Sequence, residues 1–159
     1  MTRSGLVIVA STRAAGGVYE DRCGPVVVDW LNTREITTPA AVVVADGEPV
    51  DSALRAGIGD RHDVIVTSGG TGISPTDATP QITAALLDYE IPGLADAIRR
   101  SGLPKVPTSI LSRGVCGVAG RTLIVNLPGS LGGVKDGLAV LADVLDHALD
   151  QLQGKDHSR

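Results

Sequence analysis

Apolar and polar positions alternate in blocks along this chain. Residues 5–10 (GLVIVA) form a short apolar run rich in Val and Ile, which reads as a buried strand. Residues 40–46 (AAVVVAD) form a second such strand ending in an acid, and residues 63–70 (DVIVTSGG) a third. Residues 114–129 (GVCGVAGRTLIVNLPG) read as two strands joined by a tight turn at Ala119-Gly120. Between these runs the pattern turns helical. A helix is expected over residues 25–31, with Pro25 in its first turn, and another over 47–56, closed by GIGD. Thr79-Pro80 reads as an N-cap followed by proline at the first helical position, leading QITAALLDYE. Pro92-Gly93 breaks that helix, and a shorter one covers residues 94–100. In the last helix, residues 135–153, Leu138, Leu141, Leu145, Ala148 and Leu152 recur at three- and four-residue steps and form one buried stripe. Residues 11–25 read as a polar, glycine-rich loop, 103–114 as a proline-punctuated connection and 154–159 as a frayed tail.

Strands alternating with helices predict a three-layer α/β/α sandwich. Its mixed sheet is mainly parallel and carries one antiparallel hairpin, in a single domain over residues 1–159. Composition sharpens this picture. Aromatic residues are only 2% of the chain, with no Phe and one Trp, so the core must be built from Val, Ile, Leu and Ala. Such a core suits buried parallel strands. The net charge of −4 and the lack of a long Lys/Arg run argue against a nucleic-acid partner. Cys23 and Cys116 lie far apart without CxxC spacing and read as free thiols in a reducing cytoplasm. No segment approaches the roughly 20 apolar residues of a membrane span, and GLVIVA is too short for a secretory core.

In open α/β sheets ligands bind beyond the carboxyl ends of the strands. The segments leaving the strands here are Ser11 to Arg13, Ala45-Asp46, TSGGTG (Thr67, Ser68, Gly69, Gly70, Thr71, Gly72) and NLPGS (Asn126, Pro128, Gly129 and Ser130 among them). Gly69, Gly70 and Gly72 let the backbone turn with positive φ, and exposed N–H groups in such a turn make a seat for phosphate; a plain tight turn is the alternative. Asp46 ends the second strand and Asp77 follows the third. Carboxylates beside a phosphate seat suggest Mg²⁺, which takes one or two protein carboxylates plus phosphate oxygens. As structural residues, the same two would cap a helix or a turn. Ser112-Arg113 offers a hydroxyl and a fixed charge suited to phosphate, and Arg13 has the same reading; both arginines could equally be surface residues. His62, His147 and His157 look like surface residues with no nucleophile beside them.

The segments STRAAGGVYEDRCGP, TSGGTGISPTDATP, EIPGLADAIR, PTSILSR and TLIVNLPGS occur in this order over nearly the whole chain. In them the chain resembles the molybdopterin adenylyltransferase family, the Mog/MoaB-type proteins of molybdenum cofactor biosynthesis. The resemblance implies transfer of an adenylyl group from Mg-ATP to the terminal phosphate of molybdopterin, with release of pyrophosphate. It assigns Asp46 and Asp77 as the essential acids and the metal ligands. The pterin and nucleotide would lie across Thr67 to Gly72, with Ser112, Arg113, Asn126, Pro128, Gly129 and Ser130 at the same rim, together with Ser11 and Arg13. It also implies a homotrimer, with hexamers in some members, and a partner enzyme that inserts the metal. Two departures stand out: Asp96 where many relatives carry Glu, and Leu131 where many carry Pro. A pterin-binding scaffold of the same fold is the alternative. A Rossmann-like redox domain would need GxGxxG after the first strand, which STRAAGG does not supply.

Overall fold

Alternate residues along the central strands feed two separate cores. Val7, Val9, Val64, Val66, Leu123 and Val125 face one side of the sheet; Leu6, Ile8, Ala10, Ile65 and Ile124 face the other. Both faces are therefore covered, which is why these strands read as continuous apolar runs. The structure is a computed structural model and describes residues 2–155.

In chain order the elements are β1 (Arg3–Ala10), α1 (Thr12–Ala15), α2 (Cys23–Thr33), β2 (Ile36–Thr37), β3 (Val42–Val44), α3 (Glu48–Gly59), β4 (Val64–Ser68), α4 (Thr79–Leu86), β5 (Tyr89–Glu90), α5 (Pro92–Arg100), a 3₁₀ turn (Pro107–Leu111), β6 (Cys116–Ala119), β7 (Thr122–Leu127), α6 (Leu131–Ala142) and α7 (Leu145–Leu152). The sheet runs β2-β1-β4-β7-β6-β5, with β3 also on β1. The β1, β2, β3, β4 and β7 pairings are parallel, and β6 runs against both β7 and β5. Residues from α2, α5, α6 and α7 build one core, and residues from α3 and α4 close the other. The expected sandwich and its hairpin are both present.

Several boundaries differ from expectation. The strand expected over residues 40–46 is only Val42–Val44, and its side chains are exposed or half-buried. It shares one edge of β1 with the two-residue β2: Val42 pairs with Ile8, and Ile36 with Arg3. Thr79 does not cap α4; Ala78 occupies that position and no side chain caps the helix. The helix expected to reach residue 90 stops at Leu86. Leu87 turns extended, the Asp88 N–H donates to Val118 O at 2.7 Å, and Tyr89–Glu90 becomes an edge strand on β6. The last helix is two helices, separated at Asp143-Val144 by tightened i→i−3 bonds. Leu141 and Leu145 remain in the same core across this break, so the stripe's spacing gave no sign of it. The segment 11–25 is not all loop: Ser11 accepts from the Ala14 N–H and starts α1, and α2 begins at Cys23. His62 is half-buried, its Nδ1 3.1 Å from Ser4 Oγ, and His147 is exposed. His157 and residues 156–159 of the expected tail lie outside the described residues. Both cysteines are free and buried. Among the described residues no helix is long and apolar enough to cross a membrane.

Candidate functional site

The chain leaves β1, places β3 on one side of it and returns with β4 on the other. The strand order therefore reverses between β1 and β4, the place where an open α/β sheet leaves a crevice. A cavity of about 770 Å³ lies there, bordered by Ser11, Arg13, Asp46, Ser68, Gly69, Gly70, Asp77 and Gly129 among others.

Its floor is the glycine turn. Gly69 and Gly70 have φ of 96° and 69°, the left-handed region, whereas Gly72, expected to share it, does not have a positive φ. The Gly69 N–H donates to Leu127 O at 3.0 Å, and a Cβ at Gly69 would lie 2.3 Å from Ala10 O. No side chain fits between these strand ends. Ser68 Oγ donates to Pro128 O at 2.8 Å and ties the glycine turn to the NLPG segment.

Both acids border this cavity and lean on the glycine turn. Asp46 Oδ2 accepts from Thr12 Oγ1 at 2.9 Å and from the Thr12 N–H at 3.3 Å, while the Asp46 N–H donates to Thr12 Oγ1. A Cβ on Gly70 would meet Asp46 Oδ1 at 3.1 Å. Asp77 Oδ2 accepts from the Ser74 N–H at 3.1 Å, and a Cβ on Gly72 would meet the same oxygen at 2.8 Å. Asp46 does not cap the helix that follows it, whereas Asp77 does close the turn before its helix, through the Ser74 N–H. Each keeps Oδ1 without a hydrogen-bond partner among the described residues. Thr79 Oγ1 is buried and unpartnered behind Gly70, 2.3 Å from where its Cβ would stand.

The charge balance matters for what this cavity can hold. Arg13 and Arg22 stand against Asp21, Asp46 and Asp77, so a phosphate would meet net negative charge. A divalent cation between the carboxylates and the phosphate would reverse that sign. Each carboxylate leaves an oxygen open to such a cation, and a hard ion such as Mg²⁺ takes one or two protein carboxylates and completes its shell with phosphate oxygens and water.

The other candidates fall into two groups. Thr71, Gly72, Ser112, Pro128 and Ser130 border an adjoining cavity of about 580 Å³ that shares Gly70, Asp77 and Gly129 with the first. Thr67, Asn126 and Arg113 border neither. Asn126 is buried; its amide donates to Thr67 Oγ1 at 2.9 Å and to Thr83 Oγ1 at 3.1 Å, and its Oδ1 accepts the Val115 N–H. The Arg113 guanidinium donates to Gly72 O at 2.8 Å, Asp77 O at 2.9 Å and Gln81 Oε1 at 3.1 Å. It braces the acid-bearing turn from behind. Sequence reasoning missed Thr12, Tyr19, Asp21 and Cys23, which all border the first cavity. In a chain with three aromatic residues, Tyr19 was the one with a signal; its hydroxyl lies 2.7 Å from Ser11 Oγ. Burial pushes the Cys23 thiol above its ordinary pKa, against a hydrogen bond with Ser68 that lowers it.

Fold and site together define an open α/β protein with a glycine-floored crevice at its switch point. Residues 6–147 match the family described as "Probable molybdopterin binding domain", and the chain belongs to that family. It is 37% identical, over 95% of its length, to a "Molybdenum cofactor biosynthesis bifunctional protein" of Synechococcus elongatus, of which it covers 48%. It is 36% identical to the molybdopterin adenylyltransferase of Escherichia coli, over 89% of this chain and 74% of that one. The chain thus spans about half the length of the bifunctional relatives and most of the shorter one. The solved structure of the molybdopterin biosynthesis Mog protein from Mycobacterium ulcerans superposes with a TM-score of 0.92 at 67% identity, over 94% of this chain and 99% of that one.

Proposed function

We propose that this chain acts in molybdenum cofactor biosynthesis as a molybdopterin adenylyltransferase, residues 1–159 forming one molybdopterin-binding domain in the cytoplasm. One observation carries the reading: two carboxylates with free oxygens flank a doubly left-handed glycine turn in a single cavity. Relatives named molybdopterin adenylyltransferase support it.

In this reaction a terminal phosphate oxygen of molybdopterin attacks the α-phosphorus of ATP. The bond from that phosphorus to the oxygen bridging to the β-phosphate breaks, and pyrophosphate leaves with the electron pair. A phosphate nucleophile is already deprotonated near neutral pH, so the chain needs no general base, and among the described residues no histidine borders the cavity. Transfers of this kind depend on positioning and charge neutralisation. The glycine turn brings its backbone close to the phosphates. Thr12 orients Asp46, and the Ser74 N–H and the Arg113 brace orient Asp77. Asp46 and Asp77 would hold Mg²⁺, which when bound neutralises developing phosphate charge. The adjoining cavities give pterin and nucleotide separate room on either side of the turn. The active form is a homotrimer, and its product passes to a metal-inserting enzyme.

The test is direct. Purified protein, molybdopterin and Mg-ATP should yield pyrophosphate and adenylated pterin. Asp46→Asn and Asp77→Asn should keep the native circular dichroism spectrum and lose about three orders of magnitude in turnover, the scale of several kcal/mol of charge stabilisation. Undiminished turnover in either variant would remove the assigned role. Pterin binding by the native chain without pyrophosphate release would identify a scaffold instead.

A further inference from the structure

A third cavity, of about 940 Å³, lies at the other end of the sheet, where β1, β4 and β7 begin. Among the described residues Arg61, Arg121 and Lys155 border it against a single acid, Asp63. The two cavities at the glycine turn have the opposite balance: Arg13 and Arg22 against three aspartates, and Arg99 against Asp77 and Asp136. In a chain of net charge −4, the far cavity gathers positive charge.

Among the described residues that charge is only partly neutralised from within. Asp63 is occupied by neutral donors: its Oδ2 accepts the Ser4 N–H at 2.8 Å and its Oδ1 the Gln153 amide at 3.2 Å. Arg61 and Arg121 have no carboxylate within 4.0 Å among the described residues, and Lys155 reaches only Asp150, at 3.7 Å. Arg61 has a further oddity. Its φ is 60°, a left-handed position just past α3 that ordinarily takes glycine or asparagine. A cation there also faces the carboxyl end of α3, a favourable placement. Arg121 sits on the β6–β7 turn, where no helix end asks for a charge. Two guanidinium groups on separate elements face one cavity, with Ile58 and Ala119 as an apolar wall.

We propose that this cavity is a second ligand site, taking a small phosphate-bearing anion with at least two negative groups that bridges Arg61 and Arg121. Guanidinium forks match phosphate oxygens in pairs, which makes arginine suited to the task. The site is independent of the glycine turn and of the reaction proposed there.

Inorganic pyrophosphate, without magnesium, is the probe. It is titrated into the ¹⁵N-labelled full chain while amide signals are followed. Saturable shifts are expected at Arg61, Gly120 and Arg121, with a dissociation constant on the order of 1 mM or tighter. Arg61→Asn keeps a residue tolerant of the left-handed turn, and Arg121→Ser changes an exposed turn position, so both variants should fold. Each should weaken the shifts at the far cavity about tenfold, the scale of one charge-assisted hydrogen bond, and leave any shifts at residues 69–72 unchanged. Shifts confined to residues 69–72 would overturn the proposal. So would linear shifts at the far cavity that sodium chloride reproduces at equal ionic strength, or shifts that persist in the double variant.

Discussion

At the scale of single residues, the turn after β4 has little freedom. Gly69 combines a left-handed φ of 96° with a Cβ position 2.3 Å from a backbone oxygen that cannot move aside. Gly69→Ala should therefore lose about 3 kcal/mol or more of stability in urea unfolding, strain and clash together. A loss below about 1 kcal/mol would mean that the turn relaxes easily. Asn126 should be as intolerant for a different reason. Asn126→Ala removes the acceptor of the Val115 N–H and the donor to two buried threonine hydroxyls, at a cost of about 2–4 kcal/mol. Gly69, Gly70 and Asp46 were legible in the sequence because their chemistry is local: a sharp turn with positive φ favours glycine, and the segment leaving a strand carries its acid to the rim. The burial of Asn126 was not legible, because its partners Thr67 and Thr83 come from distant segments. The unpartnered hydroxyl of Thr79 was hidden for the same reason.

At the scale of elements, the long apolar runs were legible and the short edge pieces were not. β1, β4 and β7 carry enough consecutive Val, Ile and Leu to announce themselves. β2 and β5 have two residues each, and only the neighbouring strand makes them strands. Asp88 shows how context overrides helical pattern: its Oδ2 accepts the Gly120 N–H at 2.7 Å across the hairpin, a bond no sequence window contains. The segment from Gly72 to Gln81 is held similarly from outside, by Arg113. Its guanidinium makes three contacts there, and its N–H donates to Thr71 O at 2.7 Å. Lysine has no planar fork and cannot replace all three. Arg113→Lys should leave the melting temperature within a few degrees, since the contacts are exposed, yet speed amide exchange over residues 72–78 about tenfold or more, as local opening becomes easier. Unchanged exchange there would show that the turn holds its shape without the brace.

At the scale of the whole molecule, the buried β-hairpin sets a pH limit. Cys116 lies on β6 in the larger core with 1% of its surface exposed. Burial pushes its thiol from 9.0 up to about 12, although the hydrogen bond with the Asn126 backbone and the charge of Arg99 pull the other way. Below about pH 9 the folded and unfolded chains both keep this proton, so its full contribution to stability is present. Between about pH 9 and 12 the unfolded chain releases the proton while the folded chain retains it, and stability falls as pH rises. Three pKa units correspond to at most about 4 kcal/mol, a large part of the 5–15 kcal/mol that keeps a typical protein folded. Comparison with a variant that lacks only the thiol isolates this contribution from every other group. Cys116→Ala should lose about 1 kcal/mol at neutral pH through the small void it leaves, and lose less than the native chain on going to about pH 11. Urea midpoints of the two proteins should therefore converge or cross as pH rises. Parallel lines over the whole range would mean that the thiol ionises in the folded chain near its ordinary value, and that the hairpin's inner face admits water.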